Sequence, residues 1–142
     1  MRTVRQLLAA KPSGVFATAP DVAVIEAVRL MASKSIGAVL VVDRERLVGI
    51  LSERDYARKI VLAGRSSKDT PVRVIMTADV ITARLDDSVR TCMQVMSAHR
   101  IRHLPVLESG QIVGVISIGD LVAAVIEDQQ HELDQLQRYI AG

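Results

Sequence analysis

The sequence VGILSERD at residues 48–55 returns as VGVISIGD at residues 113–120, an offset of 65 residues (113 minus 48). The same offset aligns residues 15–60 with residues 80–125 without a gap. One structural unit is therefore present twice, and each copy carries a Gly-x-x-Ser-x-x-Asp element. The repeat predicts two halves that pack face to face, so that a molecule between them meets the same chemistry from both sides.

Composition limits the class of protein. The chain has 142 residues, of which 49% are hydrophobic, 24% charged and 2% aromatic. These values predict one compact domain, or two very small ones, with a core of aliphatic side chains. No apolar run is long enough to span a bilayer and no signal region follows the N-terminus, so we expect a soluble, cytoplasmic protein. A net charge of +2 is too small to indicate nucleic-acid binding.

Both copies predict the same order of elements, β-α-β-β-α. Apolar residues recur at helical spacing after Asp21, the predicted helix cap, and again after the run 86–88. Ser52 and Ser117 each begin the last helix of a copy. Continuous apolar runs mark the strands, which are predicted at 15–18, 38–42, 47–51, 80–82, 103–107 and 112–116.

The single cysteine, Cys92, excludes an intrachain disulfide and any metal site built from several cysteines. It takes the place of Ala27 in the other copy, on the apolar side of a predicted helix. This position predicts a small, buried thiol.

The boundaries of the repeats follow from composition. A short amphipathic segment at 3–10 and the helix breaker Lys11-Pro12-Ser13-Gly14 precede the first strand, and a short helix is predicted at 72–76. We predict a first repeat at 7–63, a polar linker at 64–71, a second repeat at 72–128 and a helical tail at 129–142. The tail has a thin apolar stripe, which predicts either an intersubunit contact or a solvated helix on its own domain. The stripe contains Leu133, Leu136, Ile140 and, beside it, Tyr139.

The Ser-x-x-Asp pairs allow two interpretations. As a capping box, the Ser hydroxyl and the Asp carboxylate satisfy backbone amides at the start of a helix. As a ligand site, the preceding Gly permits close approach to a strand, and the helix start presents amides to an anion. A carboxylate there can also accept hydrogen bonds from the vicinal hydroxyls of a ribose. The combination, present twice, suits a nucleotide better than it suits catalysis.

The sequence resembles the CBS domain, a regulatory module that occurs in tandem pairs called Bateman modules. The residues that carry the resemblance are the two Gly-x-x-Ser-x-x-Asp segments and Ile101-Arg102-His103-Leu104-Pro105-Val106. The resemblance covers about residues 7–128. It implies an α+β sandwich in which two β-α-β-β-α repeats pack with pseudo-two-fold symmetry, followed here by a C-terminal helix. Clefts between the repeats bind AMP, ADP, ATP, NAD or S-adenosylmethionine in that family.

The resemblance also implies roles for individual residues. Asp55 with Ser52, and Asp120 with Ser117, would bind ribose and face phosphate. Phosphate contacts are further implied for Arg102 and His103, whose counterparts Gly37 and Ala38 carry no charge, so the two sites should differ. Residues implied in framing or sandwiching the adenine are Thr18, Ala19, Thr82, Ala83, Ile36 and Ile101, with Ile50 and Val115.

Arg54 lies in the Ser-x-x-Asp segment and, with Arg58 and Lys59, makes the first copy's last helix basic. These cations indicate either a solvated face or a phosphate contact from Arg54. Catalytic motifs are absent from the sequence: HExxH and GxGxxG do not occur, and Asp120 stands where a P-loop would have Lys. We therefore predict no enzyme and no metal site.

The sequence thus favours a sensor of adenosine-containing ligands that forms a homodimer and regulates a protein in trans. Two alternatives stay open. The chain could be a structural or oligomerisation module with degenerate nucleotide sites, or the basic region 54–68 could bind nucleic acid, which we regard as the least favoured reading.

Overall fold

The computed structural model describes residues 2–11 and 14–141, so Pro12 and Ser13 of the predicted helix breaker lie outside the described residues. The α+β fold with two repeats and a C-terminal helix is confirmed. The elements are α1 (Val4–Ala10), β1 (Ala17–Thr18), α2 (Val24–Lys34), β2 (Ala38–Asp43), β3 (Arg46–Ser52), α3 (Glu53–Tyr56), a π-helical turn (Ala57–Val61), α4 (Val72–Ile75), α5 (Val89–His99), β4 (His103–Glu108), β5 (Gln111–Ser117) and α6 (Ile118–Ala141).

Contacts divide the chain into two compact units that do not follow sequence order. One unit is Val15–Ile81, and the other joins the N-terminal segment, with α1, to residues 82–141. Each unit therefore contains the helix that precedes the other repeat in the chain. Leu7 of α1 and Val72 of α4, which are related by the 65-residue offset, are both buried.

The unit Val15–Ile81 has a three-stranded sheet in the order β1-β2-β3, with β1 parallel and β3 antiparallel to β2. The β2–β3 turn is tight because Arg44 and Glu45 both have positive φ, as a two-residue hairpin turn requires. One face of the sheet packs on α2, whose apolar residues are spaced as predicted. The core consists of Val24, Ala27, Met31, Val39, Val41, Leu51, Ile60, Val72 and Ile75.

The second unit repeats this pattern around the antiparallel hairpin β4–β5. Its turn at Ser109–Gly110 again has positive φ at both positions. Six core positions of the first repeat have buried counterparts here, which is why the offset preserves hydrophobic character. These buried residues include Val89, Cys92, Met96, Leu104, Val106 and Ile116.

Two local predictions are wrong. Residues 80–82 do not form a strand, because the Val80 amide turns back to the Ala78 carbonyl (3.0 Å) and only Ala83 pairs with β4, at Val106. Asp21 does not cap α2. The helix begins later, at Val24, and the Asp21 carboxylate accepts from Arg73 Nε at 3.0 Å.

The C-terminal helix α6 is continuous from the end of β5 through the predicted tail. Its first half packs on its unit through Leu121 and Ala124, which are buried. The stripe residues of the tail are exposed, Leu133 by 52% and Ile140 by 75%. Within residues 2–11 and 14–141, no helix is both long and apolar enough to cross a membrane.

Cys92 should be chemically inert in the folded protein. Burial, with a smaller contribution from the negative charge of Asp87, raises the pKa of its thiol to about 11. At pH 8 only about one such thiol in a thousand is ionised, and the thiolate is the reactive form. We expect iodoacetamide to label Cys92 at pH 8 only after urea unfolding, as followed by intact-mass spectrometry. Rapid labelling without urea would contradict the burial of this thiol.

Gly49 should be intolerant of any side chain. A Cβ atom at this position would lie 2.5 Å from Met76 Sδ and 3.1 Å from the Thr77 carbonyl oxygen. Gly49→Ala should therefore lower the free energy of unfolding by about 1–3 kcal/mol, the usual cost of overpacking. Urea denaturation measures this loss.

Gly114→Ala is the matched control for Gly49→Ala. Its Cβ would meet the two methyl carbons of Leu8 at 2.8 and 2.9 Å, and these are the movable end of a side chain. We expect a smaller loss for this variant. A larger loss for Gly114→Ala than for Gly49→Ala would contradict the packing described.

Candidate functional site

Ser52 and Asp55, three residues apart, form a helix cap at the end of β3. Ser52 is the N-cap of α3, and its hydroxyl accepts from the Asp55 amide at 3.1 Å. Asp55 Oδ2 in return accepts from the Ser52 amide and from the Ser52 hydroxyl, both at 3.0 Å. The capping-box interpretation is therefore correct for this pair.

The other oxygen of Asp55 ties the cap to a distant segment. Oδ1 accepts from Thr77 Oγ1 at 3.3 Å and lies 3.0 Å from Lys59 Nζ. Thr77 is fixed by a two-way backbone bridge to Ile50 of β3, with N–O distances of 2.9 and 3.0 Å. The Lys59 ammonium also donates to the Ile75 carbonyl at 2.9 Å. Asp55 is consequently 9% exposed as a residue and is the one buried charged residue of the described chain.

The second repeat forms the same cap at the end of β5. The Asp120 amide donates to Ser117 Oγ at 3.2 Å, and Asp120 Oδ2 accepts from the Ser117 amide at 2.8 Å. The Asp120 side chain is 28% exposed, against 12% for Asp55. The two caps are thus alike in backbone geometry and differ in their access to solvent.

Lys11, directly after α1, completes the second cap. Its ammonium donates to Asp120 Oδ2 at 2.9 Å and to the Val115 carbonyl at 2.8 Å. Val115 and Asp120 are the counterparts of Ile50 and Asp55. One lysine side chain therefore makes the two hydrogen bonds that Thr77 makes with its amide and its hydroxyl in the first repeat.

The surroundings of Asp120 favour its charged form. Burial acts to raise the pKa of this carboxyl, but the hydrogen bond from the Ser117 amide and the hydrogen bond and charge of Lys11 outweigh burial. The Ser117 hydroxyl contributes in the same direction. The pKa of Asp120 is consequently lower than the ordinary value, and the group is an anionic hydrogen-bond acceptor at neutral pH.

The expectation that the helix starts offer amides to an anion is largely wrong. In the first repeat the amides of Ser52 and Asp55 are used by the cap, and the Glu53 amide donates to the Gly37 carbonyl at 3.0 Å. The second repeat uses the same three positions, with the Ile118 amide donating to the Arg102 carbonyl at 2.9 Å. A phosphate near either cap would therefore depend mainly on side-chain cations.

The glycines of the element also have a structural role. Gly49 is approached by Met76 and Thr77, and Gly114 by Leu8. Leu8 belongs to α1, which precedes the first repeat. Met76 and Thr77 directly follow α4, which precedes the second repeat. The prediction of a close approach is confirmed, but the approaching group is part of the chain.

The remaining predicted site residues fall into two groups. His103, the first residue of β4, lies opposite Ser117 in the β4–β5 register, next to the cap. Arg102 precedes it and is exposed, as is Arg54 beside the first cap. The residues implied in adenine contacts differ in exposure: Ala19 and Thr82 are exposed, Thr18, Ile36 and Ile101 half-buried, and Ala83 buried. Ile36 packs against the core of its unit.

Sequence reasoning missed Lys11 and Thr77, the residues that reach the two carboxylates from other parts of the chain. The sequence indicates only a helix breaker at Lys11. The local pattern gave no signal for either contact, because each residue precedes one repeat in the chain and contacts the other repeat. The sequence predicts a basic helix face that includes Lys59, whereas the structure shows Lys59 Nζ 3.0 Å from Asp55 Oδ1.

Comparison with known proteins identifies the family. Residues 13–62 and 72–127 each match the CBS domain. The chain therefore belongs to the CBS-domain family and contains a tandem CBS pair. It is similar to the protein with CBS domains from Burkholderia ambifaria MC40-6, whose structure superposes with a TM-score of 0.87 at 51% identity, covering 90% of this chain and 96% of that one.

Curated relatives agree with this assignment. The chain is 43% identical over 127 residues to the mitochondrial CBS domain-containing protein CBSX3 of Arabidopsis thaliana, covering 86% of this chain and 62% of the relative. It is 33% identical over 107 residues to YhcV of Bacillus subtilis, covering 75% and 76% respectively. The chain thus spans less than two thirds of the length of the plant relative.

A more distant structure shares the fold and contains ligands. The CBS domain pair of protein MJ0100, in complex with 5′-methylthioadenosine and S-adenosyl-L-methionine, superposes with a TM-score of 0.76 at 24% identity. It covers 91% of this chain and 98% of that one. At this identity the likeness shows the fold alone.

The charge of Asp120 should make stability depend on pH in the acid range. The pKa of Asp120 is lower in the folded than in the unfolded chain, so the ionised group stabilises its unit above about pH 4, the ordinary range of Asp. This stabilisation is lost as the pH falls through the folded-state pKa. Asp120→Asn should reduce the free energy of unfolding at pH 7 by about 1 kcal/mol.

The difference between wild type and Asp120→Asn should shrink as the pH is lowered from 7 to 3, measured by urea unfolding at each pH. Asp86→Asn is the control, because Asp86 forms an exposed ion pair with Arg5. A difference that is constant over this range would contradict the role of the charge.

Proposed function

We propose that the chain is a non-catalytic regulatory module that binds an adenosine-containing ligand, such as AMP, ADP, ATP or NAD, and acts on a partner protein in trans. The single observation that carries this proposal is the state of Asp120. Its carboxylate is anionic, partly exposed and fixed in orientation by the Ser117 cap, with a lysine ammonium 2.9 Å away.

These groups match the parts of a nucleotide. A fixed carboxylate accepts hydrogen bonds from two neighbouring hydroxyls, which is the recognition that a ribose requires. A cation beside it complements a phosphate. Lys11 supplies that cation, and Arg102 and His103 lie at the start of the adjoining strand. Together these residues distinguish a phosphorylated nucleoside from a neutral sugar.

Membership of the CBS-domain family supports the proposed regulatory role. The related CBS pair of protein MJ0100 was crystallised with two adenosine derivatives, which supports the choice of ligand class. A ligand that binds one conformation of the module better than another shifts its population, and a partner can respond to that shift.

Homodimer formation and a cytoplasmic location are part of the proposal. The exposed apolar stripe of α6 supports self-association. The plant relative is named as mitochondrial, and that location is a property of the relative.

A structural module with degenerate sites is the second candidate function. The observation that favours it is Asp55, whose two oxygens are both occupied by the chain itself. On this alternative the Ser–Asp pairs are helix caps and nothing more.

Isothermal titration calorimetry with AMP, ATP, NAD and S-adenosylmethionine separates the two candidates. We expect at least one of them to bind, and its 2′-deoxy analogue to bind about tenfold more weakly, because one hydroxyl of the ribose pair is missing. The guanosine counterpart tests recognition of the base. An absence of heat with all four ligands, together with no shift in melting temperature, would favour the structural module.

A further inference from the structure

The two Ser–Asp caps differ in how far their carboxylates are already satisfied. A carboxylate offers about four acceptor positions on its two oxygens. Asp55 uses them for the Ser52 amide, the Ser52 hydroxyl, Thr77 Oγ1 and Lys59 Nζ, all within 3.3 Å. The side chain is 12% exposed. A ribose hydroxyl could reach Asp55 only by displacing one of these donors.

Of the donors on Asp55 from other segments, Thr77 is the more firmly held. Thr77 is fixed to β3 by both of its backbone hydrogen bonds with Ile50. Lys59 is anchored at a second point, the Ile75 carbonyl, which lies at the end of α4. The Lys59 side chain is 43% exposed, so the permanence of the contacts on Asp55 rests mainly on Thr77.

The contacts that Asp120 makes with Ser117 and Lys11 fall on one of its two oxygens. The Ser117 amide and Lys11 Nζ both donate to Oδ2, at 2.8 and 2.9 Å. The side chains of both Asp120 and Lys11 are partly exposed, by 28% and 34%. Lys11 is held at its outer end by two hydrogen bonds, and its aliphatic stem can rotate without unfolding a helix.

From this asymmetry we infer that only the second repeat accepts the ribose, on Asp120, while Asp55 is a structural tether. We further infer that Lys11 is an exchangeable cation, which neutralises Asp120 in the free protein and turns to the ligand's phosphate in the complex. This inference rests on the proposed function and specifies its site. The ligand class is a nucleoside phosphate, and the expected stoichiometry is one ligand per chain.

The inference explains why two nearly identical elements carry different cations. In the free protein the Asp120 charge needs a partner, and a lysine that also caps the Val115 carbonyl provides one. When the ligand binds, the ribose hydroxyls take the place of Lys11 as donors to Asp120, and the ammonium pairs with the phosphate. At Asp55, Thr77 is neutral and fixed by its backbone, so it would continue to occupy Oδ1 even if Lys59 turned away.

The test compares Asp120→Asn with Asp55→Asn by titration calorimetry, using AMP as the probe. Asn can keep the cap in both variants, since its carbonyl oxygen accepts from the Ser amide. We expect Asp120→Asn to weaken AMP binding by about tenfold or more, because a charged acceptor is lost. Asp55→Asn should leave the affinity within about twofold and should lower the melting temperature.

Lys11→Met tests the exchangeable cation, with Lys59→Met as the matched control. Lys11→Met should weaken AMP about tenfold and leave adenosine, which has no phosphate, unchanged or tighter. Lys59→Met should change neither affinity by more than about twofold. It also serves as the first-repeat variant if Asp55→Asn does not fold, because it removes a partner of the same carboxylate.

The outcomes separate this inference from the proposed function. Two equal sites per chain in the wild type, or equal losses in Asp120→Asn and Asp55→Asn, would overturn the inference and leave the proposed function in place. An equal loss of AMP and adenosine in Lys11→Met would overturn the role of Lys11. No binding of AMP or any other adenosine ligand to the wild type would overturn both.

Discussion

The hydrogen bonds between a serine and an aspartate three residues later fix the end of each hairpin in this chain. They turn the last strand of a repeat into its last helix, and they hold a carboxylate at that junction in one orientation. The carboxylate then binds a donor from a segment far away in sequence. The strand, the helix and the segment that supplies the donor, Thr77 or Lys11, are thereby joined at one carboxylate.

Apolar packing supplies the framework for this junction. Each repeat buries the same positions of its first helix and of its hairpin, and the helix that precedes the other repeat completes the unit. Gly49 and Gly114 leave no room for a side chain, because Met76 and Thr77 lie against the first and Leu8 lies against the second. The element Gly-x-x-Ser-x-x-Asp therefore serves two structural needs, close approach of a second segment and helix capping.

Local patterns predicted the local structure well. The hairpins, the apolar face of α2 and the capping serines depend on neighbouring residues, and they are present where the sequence indicated. The cap predicted at Asp21 failed because a nonlocal contact was stronger: Val22 and Pro20 accept from Val72 and Arg73 of α4, which delays the helix start. Thr77 and Lys11 could not be predicted for the same reason, since no local pattern reports a contact across 22 or 109 residues.

The central claim is that duplication kept the cap and allowed the two carboxylates to diverge, one into a tether and one into a ligand acceptor. A crystal structure of the chain with AMP tests it most directly. The account predicts ribose hydroxyls within hydrogen-bond distance of Asp120, Lys11 Nζ turned to the phosphate, and Asp55 still bonded to Thr77 and Lys59. A ribose bound at Asp55, with Asp120 and Lys11 still paired, would contradict it.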